Sequence, residues 1–259
     1  MKLEVSYLLM DPGGNRTILA ETPVPAGMRT AAAAKLMDRE PTAEQAGFLS
    51  DRTDDAITLT MAGGEFCGNA SMCAAAYCSM KAGNKKSRIR VHASGVPDPV
   101  SVEVIRQTDA VWTGRVSMPA PLFIGYHTFS DRTKAPLVRL PGISHVICEK
   151  PCPRDEAERL VRQWCHELQA DALGLMFPDA DAHSLTPLVY VPAADTLFWE
   201  NACGSGTAAV GAWTAFREHR RVRLTLRQPG GTLSVTASED SLLLEGEVRL
   251  LYRRSVTVF

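Results

Sequence analysis

The chain has 259 residues, enough for one large domain or for two smaller ones that each bury a core. Hydrophobic residues make up 45% of it and charged residues 22%, which is the composition of an ordinary globular protein. A formal net charge of -1 gives no electrostatic reason to expect nucleic acid or an anionic membrane as a partner.

The N-terminus and the cysteines both favour a cytoplasmic protein. Charged residues near Met1 and the lack of a long apolar run argue against a signal peptide and a membrane span. The seven cysteines are an odd number and do not form the framework of a small disulfide-rich domain. None has the C-x-x-C spacing of a zinc site, so we expect no bound metal, and we expect most of the thiols to be small buried hydrophobic side chains.

The pattern of apolar and polar residues predicts two apolar helices, one amphipathic helix and several strands. Residues 67–80 are nearly apolar all round, as is typical of a helix buried inside a sheet. Residues 204–219 follow the same pattern, and 154–168 have the spacing of an amphipathic helix. Alternating polar and apolar residues predict strands at 87–92, 111–116, 221–227 and 243–248.

The second half of the chain repeats the first. Cys67–Ala76 can be laid over Cys203–Ala212, since both begin with Cys-Gly and continue into an Ala-rich stretch. The strands that follow each copy also correspond, whereas the helix at 154–168 has no obvious counterpart in the first half. We therefore expect an α+β protein with halves at 1–120 and 121–259, joined at Pro119–Pro121, with the last few residues able to return to the first half.

A Cys-Gly pair at the start of a helix is suited to acid–base chemistry. The unpaired N–H groups of the first turn and the helix dipole can hold a carboxylate, and we expect them to lower the pKa of each thiol. Gly68, Gly204 and Gly206 let a substrate come close to the backbone. One such pair is more often a plain helix cap, but inversion at a carbon needs an acid and a base on opposite faces. The duplicated pairs therefore favour a racemase or epimerase that uses Cys67 and Cys203 without pyridoxal phosphate.

The residues around these pairs resemble the signatures of the diaminopimelate epimerase family. Phe66–Cys73 is similar to its Cys-Gly-Asn-Gly-x-x-Cys signature, and Ala202–Gly206 matches Ala-Cys-Gly-Ser/Thr-Gly. Met10–Thr17 resembles the opening Gly-x-Gly-Asn-Asp-Phe segment, and Gly142–Val146 resembles Gly-Asn-Pro-His. The resemblance therefore covers nearly the whole chain.

The resemblance implies a duplicated fold of two mixed sheets, each wrapped around a helix, with the active site between the halves. It also implies that His145, with Glu200 as its acidic partner, holds a thiol in the right protonation state. The implied catalytic residues are Cys67, Cys203, His145 and Glu200, and the implied substrate-binding residues are Asn15, Gly68, Asn69, Gly204, Ser205 and Gly206. We expect an amino acid as the partner and no cofactor, nucleic acid or membrane, and we leave a homodimer open.

Other positions depart from the family pattern. The arginine with which the family grips the distal carboxylate is absent from Phe198–Cys203, and Ile143 replaces an asparagine. These departures favour a neutral or aromatic amino acid, as in the histidine racemases of this fold. Diaminopimelate epimerase itself and an isomerase that shifts a proton within an unsaturated acid stay open as alternatives. Glu65 either orients the first thiol, binds the substrate amino group or is a solvated turn carboxylate.

Overall fold

The computed structural model describes residues 3–258, apart from the side chain of Ala194. The chain divides into two compact units: unit 1 comprises 3–117 and 245–258, and unit 2 comprises 118–244. Each unit is a mixed sheet with one buried helix, so the α+β class predicted from the sequence is confirmed. No helix within residues 3–258 is both long enough and apolar enough to cross a membrane.

Within the described residues, unit 1 contains eight strands and two α-helices. In chain order they are β1 (Glu4–Asp11), β2 (Thr17–Ala20), α1 (Arg29–Arg39), β3 (Gln45–Ser50), β4 (Ala56–Met61), α2 (Gly68–Ala82), β5 (Lys86–Ala93), β6 (Val100–Arg106), β7 (Val111–Met118) and, from the end of the chain, β16 (Leu242–Thr257). The strands pair in the order β1-β2-β3-β4-β5-β6-β7-β16, and β16 pairs back with β1, so they form a closed barrel. The pairs β2–β3 and β4–β5 are parallel, and α1 and α2 supply the crossover that each parallel pair requires.

Helix α2 is the buried helix of unit 1. Residues Gly68–Ser79 are all buried, as their nearly apolar sequence predicts, and the helix packs against β2, β4, β5 and β6. It ends at Gly83, whose φ of 70° places it in the left-handed conformation that suits a glycine.

Unit 2 contains the strands β8 (Phe123–Thr128), β9 (Lys134–Leu140), β10 (Ile143–Ile147), β11 (Leu173–Asp179), β12 (Ser184–Val191), β13 (Thr196–Trp199), β14 (Val222–Gln228) and β15 (Gly231–Ala237), with the helices α3 (Arg154–Leu168) and α4 (Gly204–Glu218). Its strands pair in the order β15-β14-β12-β11-β10-β9-β8, with β13 against β12. Helix α4 packs against β8, β9, β10, β11, β14 and β15. The predicted bounds of α3 are confirmed, and those of α2 and α4 are correct to within two residues.

Each unit has a helix that connects two parallel strands. In unit 1, α1 connects the parallel strands β2 and β3; in unit 2, α3 connects the parallel strands β10 and β11. The sequence shows no obvious counterpart of the helix at 154–168 in the first half, and in the structure α1 occupies the same kind of place between two parallel strands. Helix α1 buries only Ala32, Ala33 and Leu36 and has no side-chain cap at its start, so it leaves little trace in the sequence.

A buried carboxylate fastens the end of α1 to the barrel. Glu40, which caps the helix, accepts a hydrogen bond of 2.5 Å from the Tyr7 hydroxyl on β1. It also accepts a hydrogen bond from the Tyr252 hydroxyl and lies 3.5 Å from the Arg254 guanidinium, both on β16. Three residues from two strands therefore satisfy one charge that would otherwise be costly to bury.

Candidate active site

Cys67 is the N-cap of α2. Its backbone is extended, with φ -131° and ψ 112°, and its Sγ accepts a hydrogen bond of 3.3 Å from the N–H of Ala70. The Ser71 hydroxyl donates to the carbonyl of Cys67 over 2.8 Å. The thiol therefore lies at the N–H groups of the first helical turn, where the sequence predicted it.

The loop after β5 holds the segment in front of Cys67. The Ser94 hydroxyl accepts from the N–H of Met61 over 2.9 Å and donates to the carbonyl of Glu65 over 2.8 Å. A Cβ on Gly95, whose φ is +77°, would lie 2.3 Å from the backbone nitrogen of Phe66. Only a glycine permits this approach, and neither Ser94 nor Gly95 lies in a recognisable sequence motif.

Asn15 is connected to Cys67 through Gln45. The Thr17 hydroxyl donates to the carbonyl of Asn15 over 3.0 Å and accepts from Nε2 of Gln45 over 2.8 Å. The Gln45 amide also lies against the Cys67 thiol, where it lowers the thiol pKa. The buried Asn15 side chain donates to Glu44 over 3.1 Å. Gln45 carried no motif in the sequence, and only the parallel pairing of β2 and β3 brings it to this place.

Burial raises the pKa of the Cys67 thiol to about 11. The N–H groups of Ala70 and Asn69 and the Gln45 amide lower the pKa, and the nearby Glu65 carboxylate raises it. The helix start thus favours the thiolate, as expected, but the cost of desolvating a charge is larger. The expectation that the thiol pKa would be lowered is wrong for Cys67.

Cys203 is the N-cap of α4 in unit 2. Its Sγ accepts from the N–H of Gly206 over 3.3 Å and lies 3.5 Å from the Ser205 hydroxyl. The Thr207 hydroxyl donates to the carbonyl of Cys203 over 2.7 Å, as Ser71 does to Cys67. The predicted substrate-binding residues of this turn, Gly204, Ser205 and Gly206, therefore surround the thiol.

Burial also raises the pKa of Cys203 well above its usual value. The carboxylate of Glu200 beside the thiol adds to this increase, while Ser205 and the N–H of Gly206 oppose it. The structure therefore brings Glu200 to Cys203, and the expectation of a lowered pKa is wrong here too. Both thiols are therefore weaker acids than an ordinary cysteine.

Gly206 leaves room for Met176 beside Cys203. A Cβ at position 206 would lie 2.1 Å from Sδ of Met176 and 3.1 Å from Sγ of Cys203. The corresponding position of unit 1 is Ala70, so the two helix starts differ in the space next to the sulfur. This difference follows from Met176, which lies on β11.

His145 lies on β10 and is completely buried. Within the described residues neither ring nitrogen has a hydrogen-bond partner, so the ring is not bonded to Cys203 or to Glu200. A Cβ on Gly174 would lie 2.4 Å from Nδ1 of His145 and 2.7 Å from the methyl carbon of Met176, so Met176 reaches from His145 towards Cys203. Burial lowers the pKa of His145 to about 3. Its role as a partner of the thiol stays a prediction.

The remaining predicted residues lie in the first turn of α2. Gly68 and Asn69 are buried, and Oδ1 of Asn69 has no hydrogen-bond partner within the described residues. Their role in binding substrate stays a prediction. Across residues 3–258, no group of three or more His, Cys, Asp or Glu side chains is placed to hold a metal ion.

Comparison with known families identifies the relatives of this chain. The family described as "Histidine racemase CntK N-terminal domain" matches residues 4–251. A histidine racemase of Staphylococcus aureus is 29% identical over 248 residues, which span 90% of this chain and 88% of the relative. A histidine racemase of Fusobacterium nucleatum subsp. nucleatum is 31% identical over 227 residues, which span 83% of this chain and 82% of the relative.

Two solved structures share the fold. A "predicted epimerase" of Pseudomonas aeruginosa has a TM-score of 0.73 at 17% identity and aligns over 97% of this chain and 99% of its own. A hydroxyproline epimerase of Agrobacterium vitis has a TM-score of 0.69 at 12% identity, over 99% and 94%. The homologues make the protein an isomerase of the amino-acid racemase and epimerase class, and the chain belongs to the family of the histidine racemase CntK N-terminal domain.

Proposed function

We propose that this protein is a histidine racemase that uses Cys67 and Cys203 as its acid and base and needs no cofactor. The observation that carries the proposal is the same construction in both units: a thiol caps a buried helix and accepts the N–H of the third residue after it, over 3.3 Å. One such thiol could be only a cap. A second, in an enzyme of the racemase and epimerase class, supplies the two groups that inversion requires.

In the proposed reaction a thiolate removes the α-proton from one face of the amino acid. The thiol assigned to the opposite face gives its proton to the carbanion, so one thiolate and one thiol are present before and after the turnover. The reverse reaction exchanges their roles. No electron transfer occurs and no bond other than those to the proton changes.

The raised pKa values fit this chemistry. The α-proton of an amino acid is a very weak acid, so a thiolate with a high pKa is a stronger base for it than an ordinary thiolate would be. A thiol with a high pKa is also fully protonated and ready to act as the acid. The N–H groups at the starts of α2 and α4 can hold the substrate carboxylate and stabilise the charge that develops next to it.

Histidine is the proposed substrate because the relatives named above are histidine racemases and because the arginine for a distal carboxylate is missing. A distal carboxylate buried without a positive partner would cost several kcal/mol. We therefore expect diaminopimelate to be turned over more slowly than histidine.

The test is to incubate the protein with single L- and D-amino acids in deuterium oxide and to follow the α-proton by NMR and the enantiomers by chiral chromatography. We expect histidine to lose its α-proton and to racemise. Turnover of diaminopimelate faster than of histidine would contradict the substrate. Proton exchange only in unsaturated acids would favour the isomerase that shifts a double bond.

The variants Cys67→Ala and Cys203→Ala test the mechanism. Each removes a group that typically contributes 10²–10⁴-fold, so each is expected to lower kcat by at least about a hundredfold. Cys152→Ala, at a half-buried position directly before α3, is the matched control and should retain activity. More than about a tenth of wild-type activity in either single variant would refute the assignment.

A further inference from the structure

Two side chains hold the backbone of Cys203 from both sides. Oε1 of Gln228 accepts the N–H of Cys203 over 2.8 Å, and Nε2 of the same amide donates to Oγ1 of Thr207 over 2.9 Å. The Thr207 hydroxyl donates in turn to the carbonyl of Cys203 over 2.7 Å. These three hydrogen bonds, which we call the Cys203 clamp, form a closed ring through the cysteine.

The clamp is buried and depends on a carboxamide. Gln228 is 4% exposed and Thr207 is completely buried. A carboxamide offers an acceptor and a donor at the same time, whereas a carboxylate only accepts and an apolar side chain does neither. Gln228 is the last residue of β14, so a strand 25 residues further along the chain fixes the start of α4.

We propose that Gln228 is a positioning residue: through the Cys203 clamp it holds the Cys203 thiol at the reacting carbon. The proposal rests on the proposed acid–base role of Cys203. The clamp fixes the peptide groups on both sides of the Cys203 Cα. The Cys203 side chain then keeps its sulfur against the N–H of Gly206. A displacement of about 1 Å can cost a hundredfold in rate, so even a small loosening should be measurable.

Unit 1 provides the matched comparison. Ser71 donates to the carbonyl of Cys67 over 2.8 Å, as Thr207 does in unit 2. The segment in front of Cys67 is held by Ser94, which bonds to the carbonyl of Glu65. The Cys203 clamp therefore acts on one of the two thiols, and its loss should affect that thiol alone.

The first experiment measures alkylation of each cysteine by iodoacetamide with site-resolved mass spectrometry. Gln228→Met keeps the size of the side chain and removes both hydrogen bonds. We expect the alkylation rate of Cys203 to change at least fivefold and that of Cys67 to change less than twofold. Equal changes at both thiols would indicate general loosening and would overturn the proposal, as would no change at Cys203.

A second pair of variants opens the ring at its other end. Thr207→Val removes the hydroxyl with little change of shape, and Thr207→Ser restores it. We expect kcat to fall about 10–100-fold in Thr207→Val with KM within about threefold, and Thr207→Ser to recover most of the loss. This pair also serves if Gln228→Met does not fold. A fall in Thr207→Ser equal to that in Thr207→Val would contradict the role of the hydrogen bond.

Exchange without inversion identifies the affected face. The reaction of Gln228→Met or Thr207→Val is followed in deuterium oxide. When an enantiomer loses its α-proton to Cys67, Cys203 must deliver the new proton to the opposite face. If Cys203 is displaced, this enantiomer should exchange its α-proton faster than it inverts. Ser71→Ala should have this effect on the opposite enantiomer. If the clamp variants and Ser71→Ala affect the same enantiomer, the proposal is overturned. The alkylation rates do not depend on racemisation, so a failure of the proposed function is distinguishable from a failure of the clamp.

Discussion

At the scale of single residues, two opposing effects set the pKa of the Cys67 and Cys203 thiols. The helix N–H groups stabilise a thiolate, and the loss of water around the sulfur destabilises it. At Cys67 burial has the larger effect and raises the pKa to about 11. The Cys-Gly motif predicts the helix start, but the burial of the thiol depends on which residues pack over the sulfur.

The raised pKa predicts a rate that increases with pH. Below the pKa of Cys67 the fraction of thiolate grows about tenfold per pH unit, so log kcat/KM for histidine should rise with a slope near one between pH 6.5 and 8.5. The measurement is the initial rate of racemisation across that range. A flat profile would mean that the thiolate is already formed at neutral pH.

Substitutions around Cys67 should shift this profile in opposite directions. Gln45→Leu removes a donor to the thiolate and should move the profile to higher pH. Glu65→Gln removes a nearby negative charge and should move it to lower pH. If both variants shift the profile in the same direction, Gln45 and Glu65 do not have these opposite effects on the pKa of the Cys67 thiol.

At the scale of elements, some helices can be predicted from the sequence more readily than others. The apolar stretches of α2 and α4 and the amphipathic spacing of α3 are local signals, and all three helices were predicted. Helix α1 has few buried residues and no capping side chain, so its place between parallel strands could be seen only in the fold. Strand β10 was not among the predicted strands, and both ring nitrogens of its His145 have no hydrogen-bond partner among the described residues.

The buried ring of His145 should make stability depend on pH. Burial lowers its pKa to about 3 in the folded protein, whereas an unfolded histidine has a pKa of about 6.5. The unfolded state therefore binds the proton first, and stability is fully present above pH 6.5 and is lost as the pH falls. At pH 5 the loss from this residue is about 2 kcal/mol.

Chemical denaturation at pH 7.5 and pH 5 measures this loss. In His145→Leu the free energy of unfolding should fall less between the two pH values than in wild type, by about 2 kcal/mol. His92→Gln, at an exposed position on β5, is the control and should behave like wild type. An equal fall in His145→Leu and in wild type would show that the ring does not stay neutral in the fold.

At the scale of the whole molecule, the end of the chain completes the first unit. Strand β16 pairs with β1 from Glu4 with Thr257 to Asp11 with Arg249, and its Tyr252 and Arg254 hold the buried Glu40. Unit 1 is therefore a closed barrel only when both ends of the chain are present.

Removal of residues 249–259 should destabilise unit 1. The deletion takes away the partner of β1 and two of the three residues that satisfy Glu40, so a buried charge loses its partners. We expect a lower Tm and faster tryptic cleavage within 3–117. Arg249→Ala, which removes only an exposed ion pair with Glu247, is the control and should change the stability by less than about 1 kcal/mol. An unchanged Tm in the deletion would contradict the closed barrel.

The sequence by itself determined the α+β class, three of the four α-helices of the described residues and the place of both thiols at helix starts. These features depend on residues that are close together in the chain, because apolar spacing and a Cys-Gly cap act over a few residues. The resemblance of the same segments also identified the racemase and epimerase class.

The tertiary structure decided the direction of the thiol pKa shifts, the burial of His145 and the side chains that hold each cysteine. Gln45 and Gln228 reach Cys67 and Cys203 from strands that are distant in the chain, and β16 closes a barrel that begins at residue 4. The physical reason is that desolvation and long-range pairing depend on which surfaces meet after folding. A local pattern contains no measure of either.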